Sequence, residues 1–293
     1  MSGPPPLSFL YSQLVFTPPK PTQKYTDQTV MVTGSNIGLG LEAARWFVKL
    51  DAAKVILAVR TIEKGEEAKR DIEASTKRTG VVEVWSLDLS SYESVKQCAK
   101  KAEGLERLDV LVENAGILTW QFKMMEDNES HITTNVVSPL LHAVLSLPKL
   151  RETSVKFNTV PKLVFTESFT HWMAKFNERK EANILESLAD EKKADMADRY
   201  NVSKLLGMYS VRKLAELETA SKKAGKVVIN FLNPGWVVTN VIKEYKGLDW
   251  LTFVISRSIF ARSTEVGSRT IVNAAEAGED SHGQYLNDCR PGA

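Results

Sequence analysis

The sequence predicts a single α/β domain built on a doubly wound parallel β-sheet flanked by helices. Three observations carry this expectation. Short apolar, β-branched runs alternate with helical stretches from Thr29 to Leu232, the pattern of strands joined by right-handed crossovers. The first of these runs passes at once into a glycine-rich turn and then a helical period. Polar and glycine residues recur where the apolar runs end, which is where ligands sit on such sheets. With 293 residues, 43% hydrophobic and 25% charged, the chain suffices for one large domain.

Residues 1–28 differ from the rest. Pro4, Pro5, Pro6, Pro18 and Pro19 bracket about ten mostly apolar residues, Leu7 to Phe16. That run is too short to span a bilayer and no basic residues precede it, so it reads as an extended arm packed on the body. A shallow membrane anchor is the alternative, not favoured.

From Thr29 to Thr33 the chain reads as a strand, followed by Gly34-Ser35-Asn36-Ile37-Gly38-Leu39-Gly40 and a helix through Leu41, Ala44, Phe47 and Leu50. Strand, glycine turn and helix form a phosphate-binding arrangement. The glycines let backbone approach a pyrophosphate, and the helix N-terminus offers unpaired N–H groups and partial positive charge. A plain tight turn is the bland reading of the glycines alone. The next strand, Lys54 to Val59, ends at Arg60, 20 positions after Gly40, with no carboxylate at the strand end. At that distance an acid selects the ribose hydroxyls of NAD, whereas arginine suits the 2′-phosphate of NADP. The bland alternative is an arginine opening the helix Glu63 to Ala74.

Further units follow in order. Val81 to Leu87 is a strand ending at Asp88, followed by a helix from Tyr92 to Ala102. Leu108 to Val112 is a strand ending in Glu113-Asn114-Ala115-Gly116, and a helix from Asn128 to Leu147 carries Asn135. Lys162 to Phe165 is a strand running into Thr166-Glu167-Ser168, and Lys226 to Leu232 is a strand before Asn233-Pro234-Gly235-Trp236-Val237-Val238-Thr239. Between them, Tyr200-Asn201-Val202-Ser203-Lys204 opens a long helix. One helical turn separates Tyr200 from Lys204, so both reach one substrate. An ammonium close to a phenol favours the phenolate, which makes the tyrosine usable in proton transfer.

Composition excludes other classes. Lys plus Arg is 38 and Asp plus Glu is 36, a net charge of +2 without a basic block, so nucleic-acid binding has no electrostatic footprint. Cys98 and Cys289 fit no metal or redox spacing and read as structural in a reducing, cytoplasmic setting. His131, His142 and His282 form no metal set, and His171 reads as a pocket or surface residue.

Thr33-Gly34-x3-Gly38-x-Gly40, Asp88, Asn114-Ala115-Gly116, Asn135, Ser168, Tyr200-x3-Lys204 and Pro234-Gly235-x3-Thr239, in this order, resemble the short-chain dehydrogenase/reductase family over residues 28–290. Arg60 to Gly65 and Tyr285 to Cys289 further resemble its retinol-dehydrogenase-like branch, which has many fungal members. The resemblance implies a Rossmann-like fold and a catalytic set of Asn135, Ser168, Tyr200 and Lys204. Tyr200 would pass a proton to a carbonyl oxygen as hydride leaves the nicotinamide. Lys204 would favour the phenolate and hold the nicotinamide ribose. Ser168 would stabilise the oxyanion, and Asn135 would fix a water in a proton relay. Gly34, Ser35, Asn36, Ile37, Gly38, Gly40, Arg60, Asp88, Leu89, Asn114, Ala115, Gly116, Tyr200, Lys204, Pro234, Gly235, Val237 and Thr239 would contact the cofactor, NADP(H).

The reaction this implies is NADPH-dependent reduction of a ketone or aldehyde. Run backwards, the same set oxidises a retinoid- or steroid-like alcohol, and a cofactor-binding scaffold without redox chemistry is a further alternative. A homodimer or homotetramer is also implied. Two residues depart from the family pattern: Glu113 precedes Asn114 and Glu167 precedes Ser168. Strand alternation places Glu167 facing away from the site when Ser168 faces in.

The substrate falls to two variable segments. Thirty-one residues separate Ser168 from Tyr200 and include Trp172, Met173, Phe176, Ile184, Leu185 and Leu188. The stretch Val241 to Arg262 has apolar recurrence at Leu251, Val254, Ile255 and Ile259 that suits a helix covering a cleft. With Trp120, Phe122, Met124 and Met125, they predict a pocket for a bulky hydrophobic carbonyl or alcohol. Ordinary packing or a subunit interface accounts for them equally well.

Overall fold

The computed structural model describes residues 11–237 and 261–292. Residues 1–10, Thr239 and the expected cleft-covering segment up to residue 260 lie outside the described residues. The elements in chain order are β1 (Thr29–Thr33), α1 (Gly38–Lys49), β2 (Lys54–Val59), α2 (Ile62–Thr76), β3 (Val82–Ser86), α3 (Tyr92–Glu103), β4 (Val110–Glu113), α4 (Ser138–Phe157), β5 (Lys162–Thr166), α5 (Met196–Thr219), β6 (Val228–Asn233), α6 (Thr264–Glu276), β7 (Tyr285–Asn287) and β8 (Arg290–Pro291).

Among the described residues the sheet runs β8-β7-β6-β5-β4-β1-β2-β3. All neighbours are parallel except β8, which returns antiparallel on β7. The sequence reading did not foresee that closing pair. The chain steps outward from β1 to β3 and then jumps back to β4 on the other side of β1. That reversal opens a crevice beyond the C-terminal ends of β1 and β4, the place where such sheets bind ligands.

Each central strand is apolar on both faces, so helices must cover both. Val30 and Val32 of β1 face a core shared with Phe47 of α1 and Ile271 of α6. Met31 faces the opposite core, which Cys98 of α3, Leu147 of α4 and Met208 of α5 complete. The arm docks beside α6: Arg269 and Asn273 donate to the carbonyls of Pro18 and Pro19, and Tyr25 is buried edge-on against Phe47.

The stretch expected as one helix from Asn128 to Leu147 is built differently. Asn128–Glu129 pairs with Met124–Met125 as a small hairpin, Ser130–Ile132 makes one α-turn, and Thr133–Val137 is a π-turn leading into α4. The helix then runs through Pro148 to Phe157 instead of stopping before it. Proline removes one backbone donor. The following turns recover the loss by burying Leu150 and by two tertiary bonds, Lys149 Nζ to the Leu105 carbonyl at 2.8 Å and Leu108 N–H to Thr153 Oγ1 at 2.9 Å.

Glu113 ends β4 inside the core, 3% exposed, and its Oε1 lies 2.6 Å from Nδ1 of the fully buried His142. Burial by itself disfavours the imidazolium, but the Glu113 carboxylate, with Cys98 alongside, outweighs it and raises His142 from 6.5 to about 10. The folded value exceeds the free one, so the stabilisation is fully present below pH 6.5 and is lost as pH rises through about 10. Glu113→Gln should therefore destabilise the fold by about 3–5 kcal/mol in acid. The loss should shrink toward pH 10, read from urea unfolding across that range.

Candidate active site

Thr33, at the end of β1, is the hinge of the crevice. Its Oγ1 accepts the backbone N–H groups of Asn114 at 2.9 Å and Ala115 at 3.0 Å and donates to Glu113 Oε2 at 3.3 Å. Asn114 Nδ2 returns a bond to the Thr33 carbonyl at 3.0 Å. One hydroxyl thereby joins the two strand ends that border the chain reversal.

Two glycines of the turn are required by contact. A Cβ on Gly34 would lie 2.9 Å from Ala115 Cα, and its φ is +65°. A Cβ on Gly40 would lie 2.6 Å from both Asn114 Nδ2 and the Gly34 carbonyl oxygen. Ile37 caps α1 without a side-chain hydrogen bond, and the first turn of α1 carries no acid. The amides of that turn therefore suit an anionic phosphate. Ser35 is fully buried with its hydroxyl on the Val32 carbonyl at 2.8 Å, so its side chain serves the turn itself. Leu89 is also core, 5% exposed, whereas Asn36 is half-buried and Ile37 and Arg60 are exposed at the mouth of the crevice. Asp88 is half-buried and accepts from Ser90 N–H at 2.9 Å and Ser90 Oγ at 2.7 Å.

Asn135 sits in the π-turn, a geometry that recurs at functional sites. Its Oδ1 accepts Ile117 N–H at 2.8 Å, and its Nδ2 donates to the Ile117 carbonyl at 3.0 Å and to Ser203 Oγ at 3.1 Å. Ser203 Oγ in turn donates to the Tyr200 carbonyl at 2.7 Å. Asn135 thus ties the loop after Gly116 to α5 at the level of Tyr200. Ser203, one position before Lys204, was not singled out from the sequence, although its spacing of three from Tyr200 suits such a back-bond.

Tyr200 is half-buried, and Lys204 Nζ lies 5.9 Å from the centre of its ring. The ammonium is buried and donates to the Thr166 carbonyl at 2.9 Å. Ser168 lies two residues past the end of β5 and caps the next turn, its Oγ accepting Thr170 N–H at 3.2 Å.

Glu167 does not face away from this site. It is 4% exposed and its Oε2 stands 3.4 Å from Lys204 Nζ. Strand alternation fails as a guide because α5 packs directly on that side of β5, with Gly207 leaving room for the carboxylate. Burial raises Glu167 to about 7, against the pull of Lys204. Burial lowers Lys204, but Glu167 and Tyr200 outweigh it and the net shift is upward.

The insertion after Ser168 is clamped by the residues just before Tyr200. Asp198 accepts the N–H groups of Lys175 and Phe176 at 2.9 and 3.0 Å. Arg199, fully buried, stands 3.3 Å from Glu178 and 3.8 Å from Glu129. Phe176, Ile184 and Leu188 form a small core with Ile132 and Val202, whereas Met173 and Leu185 are 63% and 57% exposed. His171 is not at the surface. It is 4% exposed, with its ring 4.8 Å from Trp172 and 5.3 Å from Tyr285.

Pro234 is buried, and Gly235 has φ +80° with Gln13 and Arg262 packed where a Cβ would be. Gln13 Oε1 accepts Trp236 N–H at 3.0 Å, and Arg262 bonds the Ser12 carbonyl and pairs with Asp288 at 3.0 Å. Val237 is buried and bridges to Arg262.

A reversal crevice floored by a glycine turn and bordered by Asn114, Asn135, Ser168, Tyr200 and Lys204 defines a dinucleotide-binding α/β protein. Residues 28–247 match the short chain dehydrogenase family. The chain belongs to the short-chain dehydrogenase/reductase family, whose members are nicotinamide-dependent oxidoreductases. It is 44% identical over 292 residues to a short chain dehydrogenase/reductase of Cryptosporiopsis sp., covering 98% of this chain and 89% of that protein. It is also 44% identical over 285 residues to a short chain dehydrogenase of Emericella nidulans, covering 96% of this chain and 90% of that one. The crystal structure of an NADPH-bound carbonyl reductase from chicken fatty liver superimposes with a TM-score of 0.66 at 19% identity, covering 92% of this chain and 99% of that one.

Gly40→Ala should force apart the turn and Asn114, because its new methyl meets backbone as well as a side chain. Nucleotide affinity, read by calorimetry, is expected to fall by about tenfold or more while far-ultraviolet dichroism is unchanged.

Proposed function

We propose that the protein is an NADP(H)-dependent carbonyl reductase for a bulky hydrophobic ketone or aldehyde. The observation that carries the reading is the buried Lys204 ammonium beneath Tyr200, whose backbone carbonyl is linked through Ser203 to Asn135 at the crevice. Burying a charge costs several kcal/mol, so a lysine held here answers a need for its charge beside Tyr200.

When bound, the nicotinamide supplies the hydride. Tyr200 Oη donates its proton to the carbonyl oxygen, and the Lys204 charge stabilises the oxygen left behind. Ser168 Oγ hydrogen-bonds the substrate oxygen as negative charge builds on it. Asn135 holds Ile117 and Ser203, fixing the loop and α5 at the separation this proton transfer needs. The backbone of residues 34–40, Asn114 to Gly116 and Pro234 to Val237 would hold the cofactor. Arg60, exposed at the end of β2 where an acid would select NAD, supports the phosphorylated cofactor. The NADPH carried by the chicken enzyme of like fold accords with that choice.

A hydrophobic substrate is favoured by the loops that leave β4 and β5 at their C-terminal ends. They present Trp120, Met124 and Met173, which are 37%, 43% and 63% exposed. No described helix is long and apolar enough to cross a membrane.

Tyr200→Phe should lower kcat on hydrophobic ketones by about a thousandfold and leave the NADPH Kd unchanged. Turnover that survives this substitution would overturn the mechanism. Arg60→Ala should weaken NADPH by about tenfold without affecting NADH, measured by fluorescence titration of both nucleotides.

A further inference from the structure

Beyond the four residues of the family pattern, one buried group touches the catalytic lysine directly. Glu167 Oε2 lies 3.4 Å from Lys204 Nζ and has no hydrogen-bond partner, and the pair is closed from solvent at 4% and 8% exposure. The pocket around it is built. Gly207, one turn past Lys204 on α5, has no side chain where a Cβ would overlap Glu167 Oε1. The Glu167 N–H is fixed on the Leu232 carbonyl of β6 at 2.8 Å.

We propose that Glu167 is a positioning residue of the reaction: its carboxylate is the counter-ion that keeps Lys204 a charged ammonium, seated at the end of β5 beneath Tyr200. The proposal rests on the carbonyl reductase reading for its effect on turnover, but not for its effect on Lys204 itself. Without the carboxylate, burial acts unopposed by Glu167 and favours the neutral amine. The lysine then loses its proton at lower pH and with it the charge that Tyr200 needs.

Among the described residues, the titratable groups that face Glu167 are few. Lys204 comes from α5 with Tyr200 beyond it. Tyr285 comes from β7, its phenol pushed upward by burial and by the Glu167 charge. His171 packs on the other side of Tyr285 and is lowered by burial, with Arg212 adding to that effect. Glu167 itself is lifted to about 7 by burial, so its negative charge sets in across neutral pH.

The test compares wild type with Glu167→Gln, Glu167→Asp and Glu167→Ser. Lysine Cε resonances are followed against pH without nucleotide, with Lys204 assigned by Lys204→Met, and kcat is followed against pH with NADPH and a hydrophobic ketone. Glu167→Gln and Glu167→Ser should move the Lys204 titration, and the alkaline limb of kcat, to lower pH by about 1 unit or more. Glu167→Asp should restore most of both. A mere packing role would lower thermal stability and kcat evenly at every pH, and superimposable Lys204 titrations in wild type and Glu167→Gln would overturn the proposal. If Lys204 shifts while even wild type reduces no carbonyl, the counter-ion role stands and the reductase reading fails.

Discussion

Everything at the working end of the molecule depends on how the chain reverses direction between β3 and β4. A parallel sheet that grows outward from β1 and then restarts on the other side leaves a gap over two adjacent strand ends. Thr33 closes that gap from below with one hydroxyl that bonds the backbone of Asn114 and Ala115. The glycine turn lies on this stitch so closely that Gly34 meets Ala115 and Gly40 meets Asn114. The first turn of α1 and the loop leading to Asn135 are therefore parts of one floor, joined through Thr33 and Asn114.

Buried charge is the second organising constraint. Lys204 is matched by Glu167, Arg199 by Glu129 and Glu178, and His142 by Glu113. Each cation lies where an unpaired charge would cost several kcal/mol, so each partner has little freedom to move. The three sets join separate parts of the fold. Lys204 binds α5 to the end of β5, Arg199 binds the inserted segment to the hairpin before the π-turn, and His142 binds α4 to the end of β4. The segment between Ser168 and Tyr200 is thus held by α5 itself, through Asp198 and Arg199, immediately before the tyrosine.

The strands β1 to β6, their order of appearance, the glycine turn and the pair Tyr200 and Lys204 were legible in the sequence because each is a local pattern. Apolar runs have period two or 3.6, glycines mark backbone that no side chain can enter, and a spacing of four places two side chains on one helix face. The helix through Pro148 was not legible. Proline is a local stop signal, and what overrides it is the burial of Leu150 and the bonds of Lys149 and Thr153 to residues of another loop. His171 likewise reads as a pocket or surface residue and proves to be buried against Trp172 and Tyr285, which comes from the far end of the chain.

By itself, then, the sequence determined the fold class and the family, because enough short-range motifs occur in a fixed order. The tertiary structure decided the environment of each charged group. Glu167 is one residue from Ser168 in the chain, and strand alternation sends it to the opposite face. Only the packing of α5 across β5, with Gly207 at the crossing, turns that opposite face into the neighbourhood of Lys204. Alternation along a strand is set by backbone geometry, but what waits on either face is set by contacts between segments distant in sequence, which no local pattern encodes.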